Sequence, residues 1–490
     1  MSGTWPLYST HAARALDAHA TQALGGDPYL LMQRAGQSAW QHLLLHWPEA
    51  QRIVVVCGPG SNGGDGYVLA RHAHRAGRHV EVVHLPAHVP GNAIAQRACT
   101  DYVAGGGQVT LFVDALPRAD VVVDALFGIG LSRAPVEDAH ALIDAINLQA
   151  APVFSLDVPS GVDADHGGTP GVAVLATRTL QFIARHAGLY TGDALEYVGT
   201  LALDELEVPA ATFDGVAADA SLLDHDALAR WLFPRRRNTH KGESGHVLCI
   251  GGDEGSGGAI ALCAEAALRT GAGLASVATR PVHVAPLLAR RPEAMVRAVE
   301  STGDLAPLLE RARVIAIGPG LGQGEWGRAL FQHAVRSGKP LLLDADALNL
   351  LAISPLPLED AVLTPHPGEA ARLLACTTAD VQRDRFAAAQ AIARRHDSVV
   401  VLKGAGTIIA APDETPRVID AGNPGMAVGG MGDVLTGVIA ALRAQGLSAF
   451  DAASAGALLH AVAGDAAAWD GQRGLLPSDL FPHLRRLANP

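Results

Sequence analysis

Short runs of β-branched and aliphatic residues recur along the chain, each closing on a glycine-rich loop and then on an Ala/Leu/Arg stretch with helical spacing. In the first half these runs fall at 53–57, 80–84, 121–125 and 153–157; in the second they fall at 246–250, 314–317, 341–344, 361–364 and 399–403. Strands alternating with helices in this way predict an α/β protein whose parallel sheets are wound by helices. Between roughly 209 and 244 the pattern lapses into Asp/Ala-rich sequence and then the run Arg235, Arg236, Arg237, before a fresh strand and glycine loop begin. A domain boundary is therefore expected near 215–224, and the triple Arg is read as a solvated patch. No fixed period runs through the chain, which argues against a solenoid or propeller.

Length agrees with that division, since 490 residues exceed one ordinary core and suit two domains. The 49 Asp and Glu outnumber the 37 Lys and Arg, for a net charge of −12, and the charge is spread rather than gathered into basic stripes. Nucleic acid is thus an unfavourable partner. The opening MSGTWPLYSTHAARALDAHA lacks a basic segment followed by an apolar one, and no later stretch runs eighteen residues without a charge or breaker. A cytoplasmic protein without a membrane partner is expected. Cys57, Cys99, Cys249, Cys263 and Cys376 form no metal-ligand spacing and read as reduced residues. Aromatic content of 4% beside 54 Gly and 29 Pro fits tight strand-to-helix loops better than stacking platforms for bases.

In the first half, the strand IVVVC runs into GPGSNGGDG, where Gly58, Gly60 and Gly63 satisfy G-x-G-x-x-G at a helix start. A hydride-transfer dinucleotide site would place an acidic residue at the end of the next strand, which instead ends in His84-Leu85-Pro86. Two further loops, VDALFGIGLSRAP and LDVPSGVDADHG, leave later strands at the same edge, where parallel sheets bind ligands. Together they would bring Asn62, Asp65, Asp124, Asp157 and Ser160 to one crevice. Such oxygens suit a hard cation, and a carboxylate among them suits a general base. For each residue singly, a turn or capping role is an equal alternative.

The three motifs together resemble the NAD(P)HX epimerase domain of the YjeF N-terminal family, over roughly the first 215 residues. The resemblance implies that Ser61, Asn62, Gly63, Gly64 and Asp65, then Gly128, Ile129, Gly130, Leu131, Ser132, Arg133 and Ala134, and Asp157 contact a hydrated dinucleotide. It implies further that Asn62, Asp124 and Ser160 hold potassium and that Asp157 is catalytic. Two departures from the family pattern stand out: Ser61 replaces an Asn, and the early Met-Glu-x-Ala-Gly element reads Met32-Gln33-Arg34-Ala35-Gly36.

The second half is most informative at GNPGMAVGGMGDVLTGVIAALRAQG, where five glycines precede Asp433 and an apolar helix follows at once. Unpaired amides and the helix dipole at such a start suit a transferring phosphoryl group, and Asp433 could take a proton from an attacking hydroxyl. The alternative for Asp433 is an ordinary N-cap. No Walker loop occurs; instead Lys403, Gly404, Ala405, Gly406 and Thr407 follow the strand VVVL and offer an ammonium and a Gly turn. GPGLG, DADALNLL and TPHPGE each follow a strand and aim Asp344, Asn349, His366 and Glu369 at the same edge.

With NTHKGESGHVLCIGGDEGSGGA and AALRTGAGL, these motifs resemble the ribokinase-like NAD(P)HX dehydratases of the YjeF C-terminal family, over about 225–487. The resemblance implies nucleotide contacts from residues 403–407 and Gly432, and hydrate contacts from Ala259, Gly320, His366 and Asp433. It also implies Mg²⁺ and ADP, or alternatively ATP, as co-substrate. The fold implied is a Rossmann-like three-layer sandwich over 1–218 followed by a ribokinase-like αβα domain over 225–487, in a homo-oligomer acting on NADHX and NADPHX. Two competing readings are a ribokinase-like small-molecule kinase and a first half that is a non-catalytic scaffold.

Overall fold

The computed structural model describes residues 3–130 and 133–489. The chain forms two compact units: one spans Pro6–Ala220, and the other takes Ser221 onward together with the N-terminal residues up to Trp5.

The strands, in chain order, are β1 (Thr4–Leu7), β2 (Arg52–Cys57), β3 (His79–His84), β4 (Gln108–Leu111), β5 (Val121–Ala125), β6 (Val153–Leu156), β7 (Arg178–Phe182) and β8 (Thr200–Asp204). The first unit is built on a seven-stranded parallel sheet in the order β4-β3-β2-β5-β6-β7-β8. The order reverses between β2 and β5, so the loops leaving β2, β5 and β6 emerge side by side at a switch point, where open α/β sheets place their ligands. Alternation sorts the strand residues onto two faces. Ile53, Val55, Cys57 and Val123 join one apolar cluster under the helices Pro28–His46, Ser61–Arg75 and Ala93–Ala104, whereas Val54, Val56 and Val122 join another under Glu137–Asn147.

The remaining strands are β9 (Ala220–Leu223), β10 (His246–Ile250), β11 (Leu274–Thr279), β12 (Met295–Ala298), β13 (Val314–Ile317), β14 (Leu341–Leu343), β15 (Ala361–Leu363), β16 (Val399–Leu402), β17 (Thr407–Ala411) and β18 (Glu414–Ile419). They form an eleven-stranded sheet ordered β1-β9-β18-β17-β16-β15-β14-β13-β10-β11-β12. The segment β16 to β12 is parallel, β17 runs antiparallel to both β16 and β18 as the middle of a meander, and β18 pairs in parallel with β9. Strand β9 lies in the stretch where the sequence pattern lapses; four residues leave no room for a visible period. At that edge Trp5 Nε1 donates to Asp224 at 2.7 Å.

Most helices outside the sites start on a polar cap. Ser9, Asp27, Asn92, Ser301 and Thr377 each accept a backbone N–H of the following turn. The helices Ser61–Arg75, Gly257–Arg269 and Met431–Ala444 instead begin at Gly60, Ser256 and Gly430 with no side-chain cap. Their first amides remain available to a ligand. All five cysteines are free.

Candidate active sites

In the first unit a cavity of about 530 Å³ opens at the switch point. Ser61, Asn62, Asp65, Gly128, Ile129, Gly130 and Asp157 all line it, so the three motif loops converge as expected. Asp157 closes β6 with φ +65° and lies beside the end of β7 through its N–H to the Leu180 carbonyl at 2.7 Å. Its Oδ1 is 2.8 Å from Nε2 of His186, which is buried, and its Oδ2 accepts the Ile129 N–H at 3.3 Å. A Cβ on Gly128 would come within 2.8 Å of that same Oδ2, so only glycine lets the loop pass so close to the carboxylate.

Other expected residues lie off the cavity lining. Gly63 and Gly64 are buried in the first turn of Ser61–Arg75, and Arg133 and Ala134 are not part of the wall. Leu131 and Ser132 fall outside the described residues. Asp124 and Ser160, both fully buried, form a locked pair behind the wall. Asp124 accepts Ser160 Oγ at 2.6 Å, Ser160 N and Ser155 Oγ at 2.9 Å, and Leu126 N at 3.2 Å. Burial pushes the Asp124 carboxyl up despite the bonds from Ser160 and Ser155. Asn62 donates Nδ2 to the Phe127 carbonyl at 3.0 Å, while its Oδ1 is buried with no hydrogen-bond partner. Among the described residues no cluster of three or more His, Cys, Asp or Glu could hold a metal. A cation here would rest on amide, carbonyl and hydroxyl oxygens, and the orphaned Asn62 Oδ1 is the group that needs one.

Three charged or titratable lining residues escaped the sequence reading, Arg14, Asp17 and His186. His186 follows β7 without a glycine loop to mark it; Asp17 sits in an Ala/Arg helix that looks like ordinary amphipathic packing. Asp17 is exposed at the mouth of the cleft, yet the protein packed around it, and then the charge of Asp157, push its carboxyl up to about 7. Asp65 is driven well above the carboxylate range by burial, and then by Asp157 and Asp17.

In the second unit the cap of helix Met431–Ala444 is Gly430, with φ +99°, and Asp433 stands three residues further on. The capping alternative for Asp433 is therefore excluded, because a residue inside the first turn cannot occupy the cap position. Burial, and then the charge of Asp344, push its carboxyl up to about 7, with Lys403 working against them. Lys403 Nζ donates to Asp344 Oδ1 at 2.8 Å and lies 3.8 Å from Glu369 Oε2. Asp344 also accepts Thr364 Oγ1 at 2.8 Å. Burial opposes both charges, but each partner more than offsets it, holding the lysine above and the aspartate below its ordinary value. A Cβ on Gly432 would come within 3.2 Å of Lys403 Nζ, so the glycine backbone passes directly over the ammonium.

His366 caps the helix Pro367–Leu374, accepting Gly368 N at 3.0 Å, and Glu369 reaches back to its N–H at 2.8 Å. Gly320 and Ala259 meet around Ser256, at the start of Gly257–Arg269, and Leu262 of that helix lies against Gly430. Asn349 stands apart: its Oδ1 accepts Arg372 at 3.1 Å. The sequence reading missed Arg385, whose fully buried guanidinium donates to the carbonyls of Leu402, Lys403 and Gly406 at 3.3–3.4 Å. Those three carbonyls face the buried arginine in the turn containing Gly404, Ala405, Gly406 and Thr407. Its flanking sequence, QRDRFAAAQ, reads as a solvated helix start.

These features define a class: a two-unit α/β protein with an acid-lined pocket at the switch point of a Rossmann-like unit and a ribokinase-like unit with a lysine-braced carboxylate cluster at a glycine-capped helix. Residues 29–188 match the family model for the YjeF-related protein N-terminus, and 247–486 match the model for NAD(P)H-hydrate dehydratase. A bifunctional NAD(P)H-hydrate repair enzyme, Nnr, of Coxiella burnetii is 47% identical over 486 residues, 99% of either chain. The Nnr of Escherichia coli K12 is 46% identical over 97% of this chain and 92% of its own length. Among solved structures, a ribokinase-like superfamily protein from Enterococcus faecalis V583 superposes with a TM-score of 0.52 at 33% identity, over 55% of this chain and 94% of that one. The chain belongs to the family of bifunctional NAD(P)H-hydrate repair enzymes.

Proposed function

We propose that this protein repairs hydrated nicotinamide cofactors, NADHX and NADPHX. Its first unit interconverts the R and S hydrates at C6, and its second dehydrates the S form with ADP, or alternatively ATP, as phosphoryl donor. The observation that carries the second step is Asp433 inside the first turn of an uncapped helix, beside Lys403 and with a carboxyl near 7. Asp433 takes the proton of the C6 hydroxyl, and that oxygen attacks the terminal phosphorus of the nucleotide, breaking its bond to the bridging oxygen and expelling AMP from ADP, or ADP from ATP. Amides of Gly430 and Gly432 and the Lys403 ammonium receive the developing charge. The C6–O bond then breaks, phosphate leaves with the electron pair, the ring nitrogen lone pair fills in, and loss of a C5 proton restores the dihydropyridine. The turn held by Arg385, with Lys403, Gly404, Ala405, Gly406 and Thr407, would hold the nucleotide, and Ala259, Gly320 and His366 would hold the hydrate.

In the first unit Asp157, held by His186, moves a proton while C6 passes through a planar iminium. Residues 61–65 and 128–134, including Ser61 and Arg133, would bind the dinucleotide. Asn62 Oδ1, backed by Asp124 and Ser160, fits potassium, which when bound would supply positive charge to the loop that carries Gly128. Among the described residues no group of three or more His, Cys, Asp or Glu could hold a metal, so Mg²⁺ in the second unit would be held chiefly by the nucleotide phosphates. On this reading the protein works as a cytoplasmic homo-oligomer without nucleic-acid or membrane partners; no helix among the described residues is long and apolar enough to cross a membrane.

The test is return of near-ultraviolet nicotinamide absorbance from mixed hydrates, with ADP, with ATP and with neither. Nucleotide-dependent recovery with release of inorganic phosphate is expected. A stable phosphorylated product without reduced nicotinamide would make the second unit a kinase instead.

A further inference from the structure

Epimerisation through a planar C6 needs two proton-handling groups, one for the departing hydroxyl and one for the water that returns on the other face. Asp157 supplies one, and its environment points to the other. The helix Thr10–Ala23 presents Ala13, Arg14, Asp17 and Thr21 to the cavity, a stripe at i, i+3 and i+4 spacing that forms one face of a helix. That face is tied to the opposite loop: Arg14 Nη2 donates to the Ile129 carbonyl at 3.4 Å, and the Ile129 N–H donates to Asp157 Oδ2 at 3.3 Å. Asp17 lies one helical turn beyond Arg14 on the same stripe, so two carboxylates from separate elements face one cavity of about 530 Å³.

The two are differently equipped. Asp157 is engaged by His186 and Ile129, whereas the Asp17 carboxylate has no hydrogen-bond partner among the described residues. The titratable and charged side chains lining this cavity are Arg14, Asp17, Asp65, Asp157 and His186. The Asp17 carboxyl, pushed up to about 7, is balanced between its two protonation states near neutrality.

Resting on the epimerase reading above, we propose that Asp17 is the second catalytic acid–base group of the first unit, working with Asp157 on the hydroxyl of the hydrated nicotinamide. In one direction the C6–O bond breaks with its electron pair on oxygen, which takes the Asp17 proton and leaves as water, while the ring nitrogen lone pair forms the C6=N bond. Water then adds to the other face of C6 and passes a proton to Asp157. The opposite epimer runs the same steps backward, starting from protonated Asp157 and ionised Asp17. Turnover thus needs one proton shared between the two carboxylates, and the rate falls as pH rises through about 7, where Asp17 loses its proton.

The test follows R-to-S conversion of pure R hydrate, above the spontaneous rate, in the full chain and in Asp17→Asn and Asp17→Glu, across pH 5 to 9. ADP-driven dehydration of pure S hydrate in each preparation reports that the chain is folded. Asp17→Asn should lower kcat by about a hundredfold or more with little change in KM and should lose the inflection near 7, while Asp17→Glu recovers part of the rate. Conversion by Asp17→Asn within about threefold of the parent overturns the assignment, as does an equal loss in both variants with the inflection kept. A parent chain that leaves R hydrate unconverted removes the epimerase reading and Asp17 with it, so the two failures are distinguishable.

Discussion

The two sites each gather three carboxylates, and they differ in what stands among them. In the first unit Asp17, Asp65 and Asp157 line a cavity whose other titratable side chains are Arg14, which points to a backbone carbonyl, and the His186 imidazole. In the second, Asp344, Glu369 and Asp433 surround the ammonium of Lys403, which is within 4 Å of two of them. Crowded carboxylates without a fixed cation hold protons, because like charges and burial raise the pKa of whichever ionises last. The same number around a lysine, at a helix start rich in free amides, leaves one carboxylate able to act as base while the region still receives a phosphoryl group. Proton exchange with the oxygen that leaves and rejoins C6 suits the first arrangement and phosphoryl transfer the second.

Breaking the contrast at its base should have the largest effect. Asp433→Asn should lower nucleotide-driven dehydration by about two to four orders of magnitude, with epimerisation kept. Because Asp433 must be ionised to act and its carboxyl is pushed up to about 7, dehydration should rise as pH climbs through 7, and the variant should lack that rise. The first unit should show the opposite slope, so pH profiles of the two reactions in one chain sharpen the comparison directly.

Removing the cation comes next. Lys403→Met leaves Asp344, 1% exposed, without its counter-charge and should destabilise the second unit by roughly 3–5 kcal/mol, read by denaturant unfolding. Nucleotide binding should weaken in step, since a carboxylate cluster without its ammonium repels phosphate. The smallest expected effect concerns Asn62. Potassium at ten times its Kd should stabilise the first unit by about 1.4 kcal/mol, or about 3–6 °C in Tm, and Asn62→Ala should abolish that difference between potassium and sodium. An equal potassium response in the variant would remove Asn62 from the cation site.

Much of this architecture was legible in residue pattern. Strands such as β2, apolar from Ile53 to Cys57, and β16, VVVL, are buried runs because helices cover both faces, and glycine loops follow them at the sheet edge that binds ligands. Strand β7, RTLQF, was not, since its buried Thr179 and Gln181 are satisfied by the Val198 carbonyl and by Tyr190 and break the apolar run. Edge strand β4, QVTL, is largely exposed and carries little hydrophobic signal. The site residues divide likewise. Asp157 and Asp433 announce themselves beside glycines that backbone approach requires. Asp17, His186 and Arg385 reach their sites by tertiary packing of elements whose local sequence carries no mark of it, and for Asp433 the capping alternative falls only once Gly430 is seen to take that position.

The most direct measurement of the account follows pure R hydrate with ADP in the parent chain, in Asp157→Ala, in Asp433→Asn and in a mixture of the two variants. Reduced nicotinamide should form quickly with the parent, no faster than spontaneous epimerisation allows with Asp157→Ala, and hardly at all with Asp433→Asn, which should accumulate S hydrate instead. The mixture should recover the reaction, because each variant supplies the step the other lacks. Reduced nicotinamide appearing from R hydrate at the parent rate in Asp157→Ala, or appearing without nucleotide, would contradict a division of labour between a proton-exchanging first site and a phosphoryl-transferring second one.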